Sequence, residues 1–411
     1  LAQNYVGSNN INLFEPNGQF GTRRSGGKDS ASERYIFTEL NKITRLIFPQ
    51  IDDEILTYLD DDGTVVEPIY YLPIIPMVLV NGSKGIGTGF STDIMCYNPL
   101  QIINKLELML ENKTHDILIE PYYKGFKGSI KFLENENKYL IKGLYEKIGP
   151  NKIQITELPV GTWTEDYKAF IEGLIDNKKK GTTSIVKDYQ DLSTDISVDF
   201  TIEFHPGNLD SLMKETKDIS GNITETISGL EKLMKLYTTH SISNMHLFDE
   251  KEHLKKFHNA SEIIEEYYGV RLMMYKKRKQ HEINELEKRL TVISNKVRFI
   301  NDNLTDKIDL RRKTKDEINS IMETMSYKQL IDYSTTTANY NYLIKMPMDS
   351  VSKESVKKLT VEKDNIENEL VEITKMREEK MWLNELGELK KAYNDFINSD
   401  KPKITIKKSK K

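Results

Sequence analysis

The chain has 411 residues and a net charge of −4, from 59 basic and 63 acidic side chains, with 38% of its residues apolar. That length implies two to four domains rather than one core, and the single Cys96 excludes an internal disulfide and a cysteine-built zinc site, as suits a reducing compartment. No apolar run reaches 18 residues: the longest, 72–80, is too short and contains Pro73 and Pro76, so no membrane-spanning helix is predicted. The chain opens on Leu1 in sequence of internal character, so it reads as a fragment with no legible targeting signal.

The first informative stretch is Gly18-Gln-Phe-Gly-Thr-Arg-Arg-Ser-Gly-Gly-Lys-Asp29, a cationic, glycine-rich loop leading to Arg34-Tyr35. Between Phe20 and Phe48, Arg23, Arg24, Lys28, Arg34, Lys42 and Arg45 outnumber Asp29, Glu33 and Glu39, so positive charge is concentrated locally in an acidic chain. Residues 35–40 alternate, with Ile36 and Leu40 opposite Tyr35, Phe37 and Glu39, which predicts a short half-buried strand with Tyr35 facing out. A phenol ionises near pH 10, so forming the phenolate at neutral pH costs about 4 kcal/mol. Arginine offsets part of this with a planar fork that matches phosphate oxygens. The stretch therefore reads as a phosphate-handling nucleophile site; the plainer reading is that Tyr35 is one of 21 tyrosines that pack or sit on the surface.

A helix is predicted over 41–48, with Ile43, Leu46 and Ile47 apolar, ended by Pro49. Asp60-Asp61-Asp62-Gly63 resembles a metal-binding run but reads better as a solvated turn. The segment 81–89 holds four glycines without a Gly-Lys-Ser/Thr or Gly-x-Gly-x-x-Gly pattern, and it sets a large apolar residue, Ile86, between glycines. Unaided, Ile86 reads as a buried loop anchor.

Between 74 and 253, strands are predicted near 128–133, 138–142, 152–158 and 197–204, interleaved with helices near 101–111 and 164–177, which makes a mixed α/β domain. Farther on, Ile283, Leu286, Leu290, Ile293, Val297, Ile300 and Leu304 alternate spacings of three and four, a coiled-coil seam. With 261–280 it predicts a helix of about 45 residues, roughly 65 Å at 1.5 Å per residue. A weaker seam, Leu359, Ile366, Leu370, Ile373, Met381 and Leu386, with Lys363 at an apolar position, reads as its antiparallel partner. Between them, 309–355 form a cap in which Ile318, Ile321, Met322 and Met325 share one helix face, packed either within the cap or against a second copy. The last eleven residues hold six lysines and read as a disordered tail, with 402–406 able to add an edge strand.

Several motifs then join into one pattern. Asn9-Asn10-Ile-Asn-Leu-Phe14, Pro16-Asn-Gly-Gln-Phe-Gly-Thr-Arg23, Gly26-Gly-Lys-Asp29 and Arg34-Tyr-Ile-Phe-Thr38 resemble the active-site tyrosine region of type IIA DNA topoisomerases of the eukaryotic kind, including those of large DNA viruses. The resemblance continues through Glu67-Pro-Ile-Tyr-Tyr-Leu-Pro-Ile-Ile-Pro76, Val80-Asn-Gly-Ser-Lys-Gly-Ile-Gly-Thr-Gly89, Lys124-Gly-Phe-Lys-Gly128, Ile155-Thr-Glu-Leu-Pro-Val160 with Thr162-Trp-Thr164, and Asn341-Tyr-Leu-Ile-Lys-Met-Pro347. A bacterial gyrase-like reading fits less well, because that family words its tyrosine segment differently.

The resemblance implies an α+β multidomain fold. Residues 1–73 would be the C-terminal part of a winged-helix domain with the active-site tyrosine, 74–253 a tower domain, 254–398 a long antiparallel coiled coil and helical C-gate with its cap near 309–355, and 399–411 a Lys-rich tail. It implies cleavage and religation of double-stranded DNA, with Tyr35 as the nucleophile and Arg34 on the scissile phosphate, since neighbours in a strand do not share a face. Gln19, Arg23, Lys28, Lys84, Lys124 and Lys127 would contact DNA, with Lys178-Lys-Lys-Gly181 on the arms of a bent duplex. For each lysine alone, a solvated face is the plainer reading. Ile86 would be the wedge between base pairs that bends the duplex. The partners implied are DNA and a second copy of the chain through the C-gate, with no membrane, in a nucleus or a viral replication site. Mg²⁺ and ATP would be bound outside this segment: there is no Glu-Gly-Asp-Ser, no paired Asp-x-Asp on a strand end and no ATPase motif, so the segment alone should not turn over. The competing class is a non-enzymatic coiled-coil DNA clamp in which Tyr35 is structural.

Overall fold

The computed structural model describes residues 1–399 except 115, 177–183, 215, 219–225, 332–337 and 348–349. The predicted Lys178-Lys-Lys-Gly181 contact, the 402–406 edge strand and the lysine-rich tail from 400 lie outside the described residues. The chain folds as two compact units: Leu1–Gln50, Tyr58–Arg271 and Leu383–Lys411 form the first, and Ile51–Thr57 with Leu272–Trp382 form the second.

The first unit is built around a four-stranded antiparallel sheet, ordered Leu144–Gly149, Lys152–Glu157, Phe200–Phe204, Val186–Asp191. Its logic is period two: Ile153 and Ile155 point inward, register against Ile202 and Phe200, and all four are fully buried. The helix Thr164–Asp176 lays Tyr167 and Ile171, one turn apart, on that face, and the Tyr167 hydroxyl donates to the Met234 carbonyl at 2.7 Å. Each such side chain contributes about 1.5–3 kcal/mol by leaving water, so a cut such as Ile155→Ala costs about 2–5 kcal/mol. A three-stranded antiparallel sheet runs beside it in sequence, Ser129–Leu133, Lys138–Lys142 and Tyr237–Ser241, with 138–142 central.

The predicted strands at 128–133, 138–142 and 152–158 are present. The last predicted strand shortens to Phe200–Phe204, because the Thr194 N–H donates to the Ser197 carbonyl at 2.9 Å and closes a turn ahead of it. The helix Pro99–Leu110 starts where Asn98 caps it, accepting from the Leu100 N–H at 2.9 Å, with Pro99 in the first turn. The acidic run forms a hairpin turn: Asp62 and Gly63 both have positive φ, 49° and 85°, and the Gly63 N–H donates to Asp60 Oδ1 at 2.7 Å.

Two expectations near Tyr35 need correction. The 41–48 helix reduces to Thr44–Ile47, since the Asn41 side chain accepts from the Ile43 N–H at 3.2 Å and holds the entry as a turn. The 35–40 strand is a 3₁₀ turn, Glu33–Tyr35, followed by two isolated bridges, Asn17 to Phe37 and Phe14 to Leu40. The Tyr35 N–H donates back to the Ser32 carbonyl at 2.9 Å, so the chain turns where a strand was expected.

The predicted long helix is observed as Ala260–Leu304, 45 residues, and its residues from 272 onward belong to the second unit. There the seam residues Leu286 and Ile293, with Leu290 and Val297, pack against Leu359, Ile366, Leu370 and Ile373 of the helix Lys353–Lys375. The predicted continuation to Leu386 is interrupted at Met376, which is extended (φ −69°, ψ 130°), and the helix resumes as Glu378–Ser399. Lys279 caps the break: its ammonium donates to the Met376 carbonyl at 2.7 Å and pairs with Glu378 at 3.4 Å. Lys363 pairs with Glu367 one turn on, at 3.3 Å, which accommodates a charge at an apolar seam position. Arg278 grips Asp52 through two hydrogen bonds of 2.7 and 2.8 Å, both side chains buried, and Trp382 stacks on Tyr275.

In the cap, Thr314 and Glu317 form a capping box that opens the helix Lys315–Thr324. Met322 is fully buried among Phe299, Tyr327, Tyr340 and Leu343, with Ile318 and Met325 packed against them. Of the two packings left open for the cap face, the one within the cap is therefore largely observed; of the four residues only Ile321 stands outside that cluster, half-buried. Among the described residues no helix is long and apolar enough to cross a membrane.

Candidate nucleic-acid interface

The basic loop is a built structure. Gly26 has φ +60°, and a Cβ there would come within 2.3 Å of the Trp163 indole; Gly21 has φ +100°, and a Cβ there would meet Gly27 Cα at 2.5 Å. Only glycine fits both the conformation and the space. The Asp29 carboxylate closes the loop, accepting from the Thr22 N–H at 2.8 Å, the Thr22 hydroxyl at 2.5 Å and the Gln19 amide at 3.3 Å. Partial burial works to raise the Asp29 pKa, and these hydrogen bonds outweigh it and hold the carboxyl below its ordinary value. The basic side chains diverge from this frame. Lys28 and Gln19 are exposed, whereas Arg24 is half-exposed beside Glu165 and Asp195, at 3.8 and 3.7 Å.

Arg23 departs from its expected phosphate contact. It is 4% exposed, its guanidinium ion-paired with Glu157 and donating to the Leu158 carbonyl at 3.4 Å. Glu157 also accepts from the Leu158 N–H at 3.0 Å and, on its other oxygen, from the Lys127 N–H at 3.1 Å. One buried carboxylate thus ties the basic loop to the Lys124–Gly128 segment. Sequence reading passed over Glu157, although a signal was present: it follows Ile153 and Ile155 on the core-facing register of one strand, where a carboxylate requires a buried cation.

Asn10 is a second hub that was missed. Its buried amide donates to the Val80, Tyr97 and Tyr122 carbonyls at 2.9, 3.1 and 2.9 Å, while its oxygen accepts from the Lys124 N–H at 2.8 Å. The Lys124 ammonium lies over the Phe396 ring, 4.5 Å from its centroid, and Lys127 is exposed.

Tyr35 is 66% exposed at the end of its 3₁₀ turn, and the Arg34 guanidinium lies over its ring, 4.9 Å from the centroid. The argument that neighbours cannot share a face held only for a strand. In the turn the two side chains stack, a cation–π pair worth about 0.5–1 kcal/mol at an exposed site.

Ile86 sits on a hairpin, Ser83–Gly87 paired with Phe90–Ile94, and is 94% exposed. The reading of Ile86 as a buried anchor is overturned: the residue is displayed to solvent from a strand opposite Ser91. Lys84 pairs across the same hairpin with Asp93 at 3.2 Å, its side chain 81% exposed.

Comparison with known proteins adds independent support. The family model for the A-type chains of DNA gyrase/topoisomerase IV matches residues 1–387. DNA topoisomerase 2 of Arabidopsis thaliana is 37% identical over 426 aligned residues, covering 95% of this chain and 28% of the plant protein. The Acanthamoeba polyphaga mimivirus DNA topoisomerase 2 is 33% identical over 480, covering all of this chain and 37% of the viral protein. The chain thus spans between a quarter and two fifths of the length of these relatives. A crystal structure of the Plasmodium falciparum topoisomerase II DNA-binding, cleavage and re-ligation domain superposes with a TM-score of 0.84 at 36% identity, over 97% of this chain and 54% of that one. These relatives carry enzyme names, and nothing in them favours the non-enzymatic clamp. The match runs through the tyrosine loop, the Ile86 hairpin, both sheets and the paired helices, and the chain belongs to the DNA gyrase/topoisomerase IV family.

Proposed function

We propose that this chain is the DNA-cleaving and resealing portion of a type IIA topoisomerase. The observation that carries the reading is the Arg34–Tyr35 pair, an exposed phenol with a guanidinium over its ring at the end of a locked basic loop. The description of the Plasmodium falciparum structure as a DNA-binding, cleavage and re-ligation domain supports it.

The chemistry is transesterification. The Tyr35 oxygen, its proton lost to solvent, attacks a DNA phosphorus. A tyrosyl P–O bond forms as the P–O3′ bond breaks, and the leaving 3′ oxygen takes up a proton. The products are a 5′-phosphotyrosyl linkage and a 3′ hydroxyl, and reversal reseals the strand with one phosphodiester exchanged for another. Negative charge grows on the phosphoryl oxygens, where a preorganised donor is worth about 10²–10³ in rate. A guanidinium held 4.9 Å from the centre of the phenol ring stands beside the attacking oxygen, and its planar fork matches the oxygens of a phosphate, the role we assign to Arg34. Exposed Gln19, Lys28 and Lys127, with Lys84 and Lys124, form the duplex contacts; Arg23 serves as the strut that holds their loop. Ile86 is the wedge that unstacks and bends the duplex.

Among the described residues no three His, Cys, Asp or Glu side chains gather as a metal site would, and no step above is routed through a metal. We place the Mg²⁺ and ATP sites of the whole protein outside this segment. Residues 1–73 read as part of a winged-helix domain, 74–253 as the tower and 254–398 as an antiparallel coiled coil and C-gate. Two copies meeting at the cap would set two Tyr35 side chains on opposite strands of one duplex. The plant and mimivirus relatives keep both expected settings, a nucleus and a viral replication site. Peptide mapping of the denatured, nuclease-trimmed adduct of the full-length protein tests the reading: the nucleotide remnant should sit on Tyr35, and a remnant on another tyrosine would overturn it.

A further inference from the structure

The Ile86 hairpin poses a mechanical problem. A wedge must bear the cost of unstacking a base step, a few kcal/mol, whereas an isolated two-stranded hairpin is marginally stable in water. Its end is held only locally: a Cβ at Gly85 or Gly89 would meet nothing within 4 Å, and one at Gly87 would meet the Phe90 ring of the same hairpin. The bracing must come from beyond the hairpin.

One contact is apolar, Phe90 edge-on to Phe248 with centroids 5.5 Å apart. The others converge on the strand Phe90–Ile94. The Asp93 N–H donates to the Asn244 carbonyl at 2.8 Å, the Asn244 amide donates to the Ser91 hydroxyl at 2.9 Å, and His246 Nδ1 lies 3.1 Å from the Ser91 carbonyl. The Asp93 side chain joins three strands. Its Oδ2 meets the Lys84 ammonium at 3.2 Å on the cross-strand neighbour, and its Oδ1 meets His240 Nε2 at 3.0 Å. His240 belongs to Tyr237–Ser241, which is registered against Lys138–Lys142 in the three-stranded sheet. Burial foremost lowers the His240 pKa, against the opposing pull of Asp93, so the neutral ring donates from Nε2 to the carboxylate.

We propose that Asp93 is a positioning residue for DNA bending: its carboxylate couples the Ile86 hairpin to the sheet through His240 and squares the hairpin through Lys84, so that the wedge is presented in one fixed direction. The inference rests on the reading of Ile86 as the wedge. Nothing in it requires Asp93 to touch DNA.

The test compares wild type, Ile86→Gly, Asp93→Ala, Asp93→Asn and the Ile86→Gly/Asp93→Ala double variant of the full-length protein. The bend of a short end-labelled duplex is read by energy transfer at saturating protein, and thermal melting is read beside it. Asp93→Ala should lose the bend to the same extent as Ile86→Gly, with DNA affinity within about threefold because phosphate contacts dominate it. The double variant should bend no less than either single one. Asp93→Asn keeps an acceptor for His240 but turns a donor toward the Lys84 ammonium, so it should restore part of the bend. Full bending by Asp93→Ala while Ile86→Gly fails would overturn the inference alone. Loss of bending with a lowered melting temperature and no rescue by Asn would reduce Asp93 to a structural role and overturn it too. Full bending by Ile86→Gly would overturn the wedge reading, and the inference with it.

Discussion

Arg23 and Glu157 form an ion pair in which both side chains are buried, 5% and 1% exposed, between the loop that leads to Tyr35 and the central sheet of the first unit. Breaking a buried pair from one side leaves an uncompensated charge and costs about 3–5 kcal/mol, whereas replacing both partners with apolar groups of similar volume can be neutral. Arg23→Ala and Glu157→Ala should therefore each lower the midpoint of denaturant unfolding, and Arg23→Met with Glu157→Leu should recover only part of the loss, because the Leu158 and Lys127 N–H groups lose their acceptor. Wild-type midpoints in both single variants would show that the pair carries no stability.

The stacked Arg34 predicts a rate effect rather than a binding effect. Arg34→Ala should cut the rate of DNA cleavage by about 10²-fold, the size of losing one transition-state donor, with DNA affinity nearly unchanged. Arg34→Lys should not restore it, because an ammonium lacks the planar fork. Quenched-flow cleavage at saturating enzyme measures both, and an unchanged rate in Arg34→Ala would remove Arg34 from the site.

A pH effect follows from Asp249, which closes the hairpin Met245–Phe248 to Leu254–Phe257. The His253 N–H foremost, then the Lys251 N–H and the Lys255 ammonium, hold its pKa at about 2. The unfolded value is about 3.9, so the folded value is the depressed one and the carboxylate stabilises the hairpin above that pH. The stabilisation fades as pH falls from about 4 toward 2. Amide protection at 245–257, measured relative to the unstructured exchange rate at each pH, should fall across that window in the wild type and show no such step in Asp249→Asn.

The cap separates two roles on one helix. Met322 is fully buried and Ile321 is half-buried, so Met322→Asp should melt the cap while Ile321→Asp should spare it. If the cap is the meeting point of two copies, Ile321→Asp should also shift sedimentation toward monomer, since the charge would have to be desolvated in the interface. A variant that stays dimeric with an intact cap would move the interface elsewhere.

Much of this was legible where a pattern repeats. The 283–304 seam repeats its apolar spacing through six steps and foretold the 45-residue helix, and the alternation at 152–157 foretold a strand. The break at Met376 was not legible, because no glycine or proline marks it; the carbonyl it frees is taken up by Lys279, nearly a hundred residues earlier. Tyr35 was read as outward-facing, which held, but on a strand, which did not. The alternation at 35–40 is real, yet Ser32 and Glu33 accept backbone bonds that turn the chain. Charge in sequence also said nothing of direction: Arg23 and Arg24 are neighbours, one buried on Glu157 and one beside Glu165 and Asp195 at the surface.

The most direct measurement is the yield of covalent DNA adducts from Tyr35→Phe. In the full-length protein with supercoiled DNA and Mg²⁺, denaturant-trapped adducts should disappear, while DNA affinity stays within a few-fold because one hydroxyl is a small part of a phosphate-dominated footprint. Adducts at wild-type yield from Tyr35→Phe would contradict the account, since another side chain would then be the nucleophile.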